Sequence, residues 1–128
     1  MAKKVKILFV DDEPNICHIF KVISEKCFLI SVDTYTSPLE VLKKPNLYEY
    51  DLYIVDVLMA EMNGLELSKR LCKEHKIPIL LTTGHGEIPV PRELEECVTC
   101  CLLKPYSFSS IVDKIQEVIG DIKERGET

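Results

Sequence analysis

Four short stretches of the chain end apolar runs on residue types that can do chemistry. They are Asp11-Asp12-Glu13, Asp56, Thr82-Thr83-Gly84 and Lys104-Pro105. An apolar strand gains nothing from a carboxylate at its tip, because an unpaired carboxylate is costly to desolvate. Strand ends are commonly polar, and that explains any one of these residues. It explains the whole set poorly, since the opposite strand ends carry no comparable group. Carboxylates gathered at one place repel and raise one another's pKa. A hard divalent cation relieves the repulsion, and Mg²⁺ prefers a few carboxylate oxygens, waters and a phosphate oxygen. Asp56 could then act as a nucleophile through its free oxygen. An incoming phosphoryl group has three equatorial oxygens. The cation, the Lys104 ammonium and the Thr83 hydroxyl with nearby backbone N–H groups could each meet one. Side chains alternate along a strand, so only one of Thr82 and Thr83 should face such a site. The small Gly84 favours Thr83 and leaves Thr82 as a core-facing residue. His85 reads as a solvent-facing loop histidine.

These residues need a frame that brings four distant segments together. VKILFV (Val5–Val10) is continuously apolar, as in a strand buried on both faces. PNICHIFKVISEKCF repeats apolar residues at helical spacing, and Pro14 suits the first turn. LISVDTY reads as a second strand. SPLEVLKK reads as a short helix with Ser37 as N-cap. DLYIVD is the third strand, GLELSKRLCKEH a helix, IPILLTT the fourth strand, and CVTCCLL the fifth. SFSSIVDKIQEVIGDI is the last helix, its stripe running from Phe108 through Ile111, Ile115 and Val118 to Ile119 and Ile122. In GHGEIPVPRELEEC the prolines delay any helix to about Pro91, so a short, mobile fourth helix is expected. Alternating strands and helices imply a parallel sheet covered on both faces, with all C-terminal strand ends at one edge. Ligands bind at that edge in open α/β sheets.

Composition narrows the function. The 128 residues fit one domain, 46% hydrophobic and 29% charged, which favours a folded chain. The net charge is −5 with no basic block, so nucleic acid is not an expected direct ligand. No apolar run approaches the ~20 residues of a bilayer span. The start, MAKKVKILFV, lacks a signal peptide's long h-region and cleavage site, so a cytoplasmic protein is expected. Reduced thiols are then expected for the six cysteines, with Cys17, Cys27 and Cys72 as small buried hydrophobes. CVTCC holds a C-x-x-C at Cys97 and Cys100, with Cys101 adjacent. Without a second pair it is weak evidence for metal or redox use.

The ordered set of VDDEP, DVLMAEMNG around Asp56, TGHG at Thr83–Gly86 and KP at Lys104-Pro105 closely resembles a response-regulator receiver domain of the chemotaxis-regulator type. The resemblance covers nearly the whole chain. It implies a flavodoxin-like three-layer αβα sandwich with a five-stranded parallel sheet in order 2-1-3-4-5, residues 1–128 forming a single receiver domain. It implies Asp56 as phosphoacceptor. Asp11, Asp12 and Asp56 would surround Mg²⁺, with the Leu58 carbonyl as an additional ligand. Thr83 would be the switch hydroxyl and Lys104 the phosphate-pairing amine. The partner would be a sensor histidine kinase or a histidine phosphotransfer protein, and the chain would assist only its own phosphorylation and dephosphorylation. Output would be docking of a downstream protein or phosphorelay. An apolar Leu58 is expected to slow loss of the phosphoryl group.

The sequence also departs from that pattern. Ala60 stands where the family often has proline. Cys101 stands where a Tyr or Phe ring usually turns inward during activation. The usual small pair near Cys97-Val98 is missing. Activation is therefore expected to remodel the 85–97 loop instead of rotating a ring. The chain ends in DIKERGET soon after the last helix, which suggests a stand-alone receiver or one cut from a longer protein. Two other readings share these residues: a Mg²⁺-dependent phosphohydrolase with an aspartyl nucleophile, and a degenerate receiver used only for docking. The hydrolase lacks a visible cap and extra acid/base, and the complete acid–hydroxyl–lysine set opposes the docking module.

Overall fold

The computed structural model describes residues 4–26, 30–84 and 90–126. Its strands β1 (Val5–Val10), β2 (Ile30–Tyr35), β3 (Leu52–Asp56), β4 (Ile79–Thr83) and β5 (Val98–Leu103) form one parallel sheet in the order β2-β1-β3-β4-β5. The helices are α1 (Pro14–Ser24), α2 (Pro38–Leu42), α3 (Gly64–His75) and α4 (Phe108–Gly126). The topology is the flavodoxin-like order that the resemblance implies.

Both sheet faces are covered, which is why the central strands are apolar throughout. Leu8, Val10, Tyr53, Val55, Ile79 and Leu81 face α2 and α3, with Val41, Leu67 and Leu71 packed on them. Ile7, Phe9, Leu52, Ile54 and Leu80 face α1 and α4, which contribute Phe20, Ile111 and Ile115. Phe9 and Phe20 stack with centroids 4.2 Å apart. The expected stripe positions Ile119 and Ile122 fall outside the described side chains. Local signals set the helix starts. Pro14 opens α1, and the Ser37 side chain accepts from Glu40 N at 3.2 Å to open α2. The Asn63 side chain accepts from Leu65 N at 2.7 Å to open α3.

Before β5, the expected short fourth helix is reduced to a single 3-10 turn over Arg92–Leu94. Within 91–97 only Leu94 and Cys97 are buried, and so short an apolar stripe cannot offset the cost of helix nucleation. His85 and the start of this loop lie outside the described residues. The segment is held on α3 by three ties along one helix face: Lys69 to Glu93 at 3.8 Å, Lys76 to Glu96, and a disulfide from Cys72 to Cys97. The disulfide corrects the expectation of reduced thiols for these two cysteines, and takes Cys97 out of the C-x-x-C. Packing of α3 beside the chain entering β5 brings the two Cα atoms to 6.0 Å, within bridging range. Cys17, Cys100 and Cys101 are free thiols, and Cys27 lies outside the described residues.

Candidate functional site

Alternation along the strands builds the site. On β1, β3, β4 and β5 the residues facing α1 and α4 include Phe9, Ile54, Leu80 and Leu102. Two positions on from each, on the same side of the sheet, stand Asp11, Asp56, Thr82 and Lys104. The apolar rows thus end in a polar row across four neighbouring strand ends. Asp11 is fully buried and Asp56 is 4% exposed. The Lys104 ammonium bridges them, 2.7 Å from Asp11 Oδ2 and 3.3 Å from Asp56 Oδ1. Glu13 N donates to Asp11 Oδ1 at 3.0 Å. Asp12 is half-buried, and its Oδ2 accepts from Ala60 N at 2.9 Å, which ties the β1 end to the turn after β3.

Carboxylate oxygens of Asp11, Asp12 and Asp56 all lie within 4.8 Å of one another. Three acids around one ammonium leave net negative charge in a buried place. Burial pushes the Asp56 carboxyl up to about 6, the Asp11 charge adds to the rise, and Lys104 opposes it. Burial alone would lower the Lys104 pKa. Its hydrogen bond to Asp11 and the charges of Asp11 and Asp56 outweigh that and hold it above the ordinary lysine value. An all-oxygen, anionic donor set fits a hard divalent cation such as Mg²⁺. Among the described residues this is the one group of three potential metal ligands, so the cysteines and histidines form none.

The remaining expected residues sit around this row. Thr83 is buried at the end of β4, and its carbonyl accepts from Lys104 N at 2.6 Å. Leu58 is 49% exposed in the turn that Asp12 holds. Two contributors escaped the sequence reading. Thr82, expected to face the core, instead stands in the polar row, buried and with its hydroxyl 3.5 Å from Asp56 Oδ1. Gly64 starts α3 directly against β3, and a Cβ there would stand 2.0 Å from the Asp56 carbonyl oxygen. MNG in the sequence was the available signal for that close approach. Beside the row, an apolar cavity of about 550 Å³ lies between α1 and α4. Ile16, Phe20, Ile23, Phe108 and Ile111 line it, and it reaches Lys104.

The comparisons with known proteins agree with the fold. Residues 7–116 match the response regulator receiver domain family. The chain belongs to that family, the receiver domains of two-component signalling. It is 30% identical over 115 residues to the transcriptional regulatory protein CpxR homolog of Haemophilus influenzae, covering 89% of this chain and 50% of that one. It is 28% identical over 125 residues to the sensor protein EvgS of Escherichia coli, covering 92% of this chain and 10% of that one. The chain thus spans about half the length, or less, of the curated relatives it matches. The fold matches a CheY-like receiver domain protein of Methanospirillum hungatei with a TM-score of 0.82, at 24% identity over 95% of this chain and 99% of that one. It also matches response regulator TrrA of Thermotoga maritima, solved in complex with Mg²⁺ and BeF. There the TM-score is 0.77, at 28% identity over 89% of this chain and 98% of that one. No helix among the described residues is long and apolar enough to cross a membrane.

Proposed function

We propose that Asp56 is the phosphoacceptor of this receiver domain, residues 1–128 acting as one unit. The reading is carried by one observation: three carboxylates within 4.8 Å of one another, two of them bridged by Lys104. Asp11, Asp12 and Asp56 would hold Mg²⁺, with the Leu58 carbonyl as an additional ligand. When bound, the ion supplies positive charge that neutralises the carboxylates and the phosphoryl oxygens. An Asp56 carboxylate oxygen attacks phosphorus in line with the leaving group. With a phosphohistidine donor the P–N bond breaks and the imidazole leaves with the electron pair. Lys104 shifts from Asp11 and Asp56 toward a phosphoryl oxygen, and the Thr83 hydroxyl, which starts on the other side of the sheet, swings over the end of β4 to serve another. The donor is a sensor histidine kinase or a histidine phosphotransfer protein. The apolar groove between α1 and α4 supports this, because it leads from the surface, where Ile19 is 55% exposed, to Lys104.

Incubation with acetyl phosphate and Mg²⁺, followed by intact mass, tests the reading. The protein should gain one phosphoryl group, and Asp56→Asn should gain none. Equal incorporation by Asp56→Asn would overturn the assignment.

A further inference from the structure

Thr82 occupies the one place in the polar row whose chemistry is still unassigned. In the register of β3 against β4 it is the direct partner of Asp56, and Val57 N donates to the Thr82 carbonyl at 2.8 Å. The two strand ends are therefore fixed against each other beside the acid. Thr82 is 1% exposed, so its hydroxyl has no recourse to solvent and needs a partner in the protein. Its hydrogen bond is to Asp56 Oδ1 at 3.5 Å. The same oxygen faces Lys104 Nζ at 3.3 Å. Oδ1 is thus flanked by two donors from two different strands. A buried valine of the same shape would fill the space equally well without offering either carboxylate oxygen a proton.

We propose that the Thr82 hydroxyl is a positioning residue for the phosphoacceptor, donating to Asp56 Oδ1 and fixing the rotation of the carboxylate. This rests on the reading of Asp56 as the nucleophile. In the transfer, an Asp56 oxygen forms a bond to phosphorus, the bond from phosphorus to the leaving oxygen of acetyl phosphate breaks, and acetate leaves with the electron pair. A carboxylate held at one rotation enters that geometry without first losing rotational freedom. Thr82 does not touch the phosphoryl group; it acts through Asp56.

Thr82→Val keeps the shape and deletes the hydroxyl, and Thr82→Ser keeps the hydroxyl. Phosphorylation by acetyl phosphate at saturating Mg²⁺ should slow about 5- to 10-fold in Thr82→Val, the effect of losing one hydrogen bond of ordinary strength. The fall should lie in the maximal rate, with half-saturation by acetyl phosphate unchanged. Thr82→Ser should return within about twofold of the parent. Calorimetric titration of Mg²⁺ alone, with no phosphoryl donor, should show weaker binding in Thr82→Val and recovery in Thr82→Ser. A parental rate and affinity in Thr82→Val, or a Thr82→Ser as slow as Thr82→Val, would overturn the proposal. If the parent protein itself gains no phosphoryl group on Asp56, the phosphoacceptor reading has failed instead.

Discussion

At Asp56, the acid proposed as phosphoacceptor is also an acid that folding disfavours in its charged form. Its carboxyl is pushed up to about 6, from 3.8, by burial and by Asp11, against the pull of Lys104. A carboxyl raised on folding contributes stability below its unfolded pKa, and that contribution is lost as pH rises through the folded value. Between about pH 4 and pH 6 the metal-free protein should therefore lose stability relative to Asp56→Asn, by up to about 3 kcal/mol. Denaturant titrations of both proteins at pH 4 and pH 7 would show it. A pH-independent difference would mean that Asp56 does not carry the strain. Leu58, 49% exposed and two residues after Asp56, presents no polar atom from its side chain. Leu58→Asn adds an amide that can orient an attacking water. The phosphorylated form should then decay about 3- to 10-fold faster, the effect of one hydrogen bond. An unchanged half-life would count against this role for Leu58. Asp11, Asp56 and Lys104 were legible because an acid or amine closing an apolar run is costly without a partner. Thr82 was not, because a buried threonine on a strand satisfies β-propensity whether or not its hydroxyl does anything.

Strand and helix positions followed from periodicity because each run satisfies its local preference and its burial together. GLELSKRLCKEH is α3 as read, and VKILFV is β1 as read. The segment into β5 has no such agreement, and what fixes it is non-local: Leu94 in the core, two ion pairs to α3, and the Cys72–Cys97 disulfide. A separation of 25 residues carries no sequence mark of pairing, and both sulfurs sit where small apolar residues would also fit. The exposed ion pairs contribute little. The disulfide closes a loop whose entropy is worth about 3 kcal/mol in the unfolded chain. Protein purified without reductant should show two fewer alkylatable thiols when denatured than after reduction. The Cys72→Ala, Cys97→Ala double variant should be less stable by about 3 kcal/mol. Full alkylation of the unreduced protein would show that the bridge does not form.

Across the whole molecule, the question is how a change at one sheet edge reaches the surface. Asp11, Asp56, Thr82 and Lys104 lie on the α1/α4 side, whereas Thr83 follows Leu81 on the other side. There its register partner on β5 is Leu103, which is 54% exposed, and Leu81 pairs with Cys101, also exposed. A thiol at 101 has too little surface to be driven inward by movement of Thr83. The chain leaving β4 is then the remaining path, and its far end is restrained: residues 92–97 are held to α3 by a buried leucine, two ion pairs and a covalent bond. Change should concentrate between Gly84 and Pro91, upstream of those ties, a span that includes residues outside the described set. Beryllofluoride with Mg²⁺ should alter hydrogen exchange over 84–91 and alter it far less over 92–97. In the Cys72→Ala, Cys97→Ala variant the altered region should extend toward β5, since the covalent tie is what confines it. Unchanged protection from Glu87 to Cys97 in both proteins would mean that the signal leaves the site by another face.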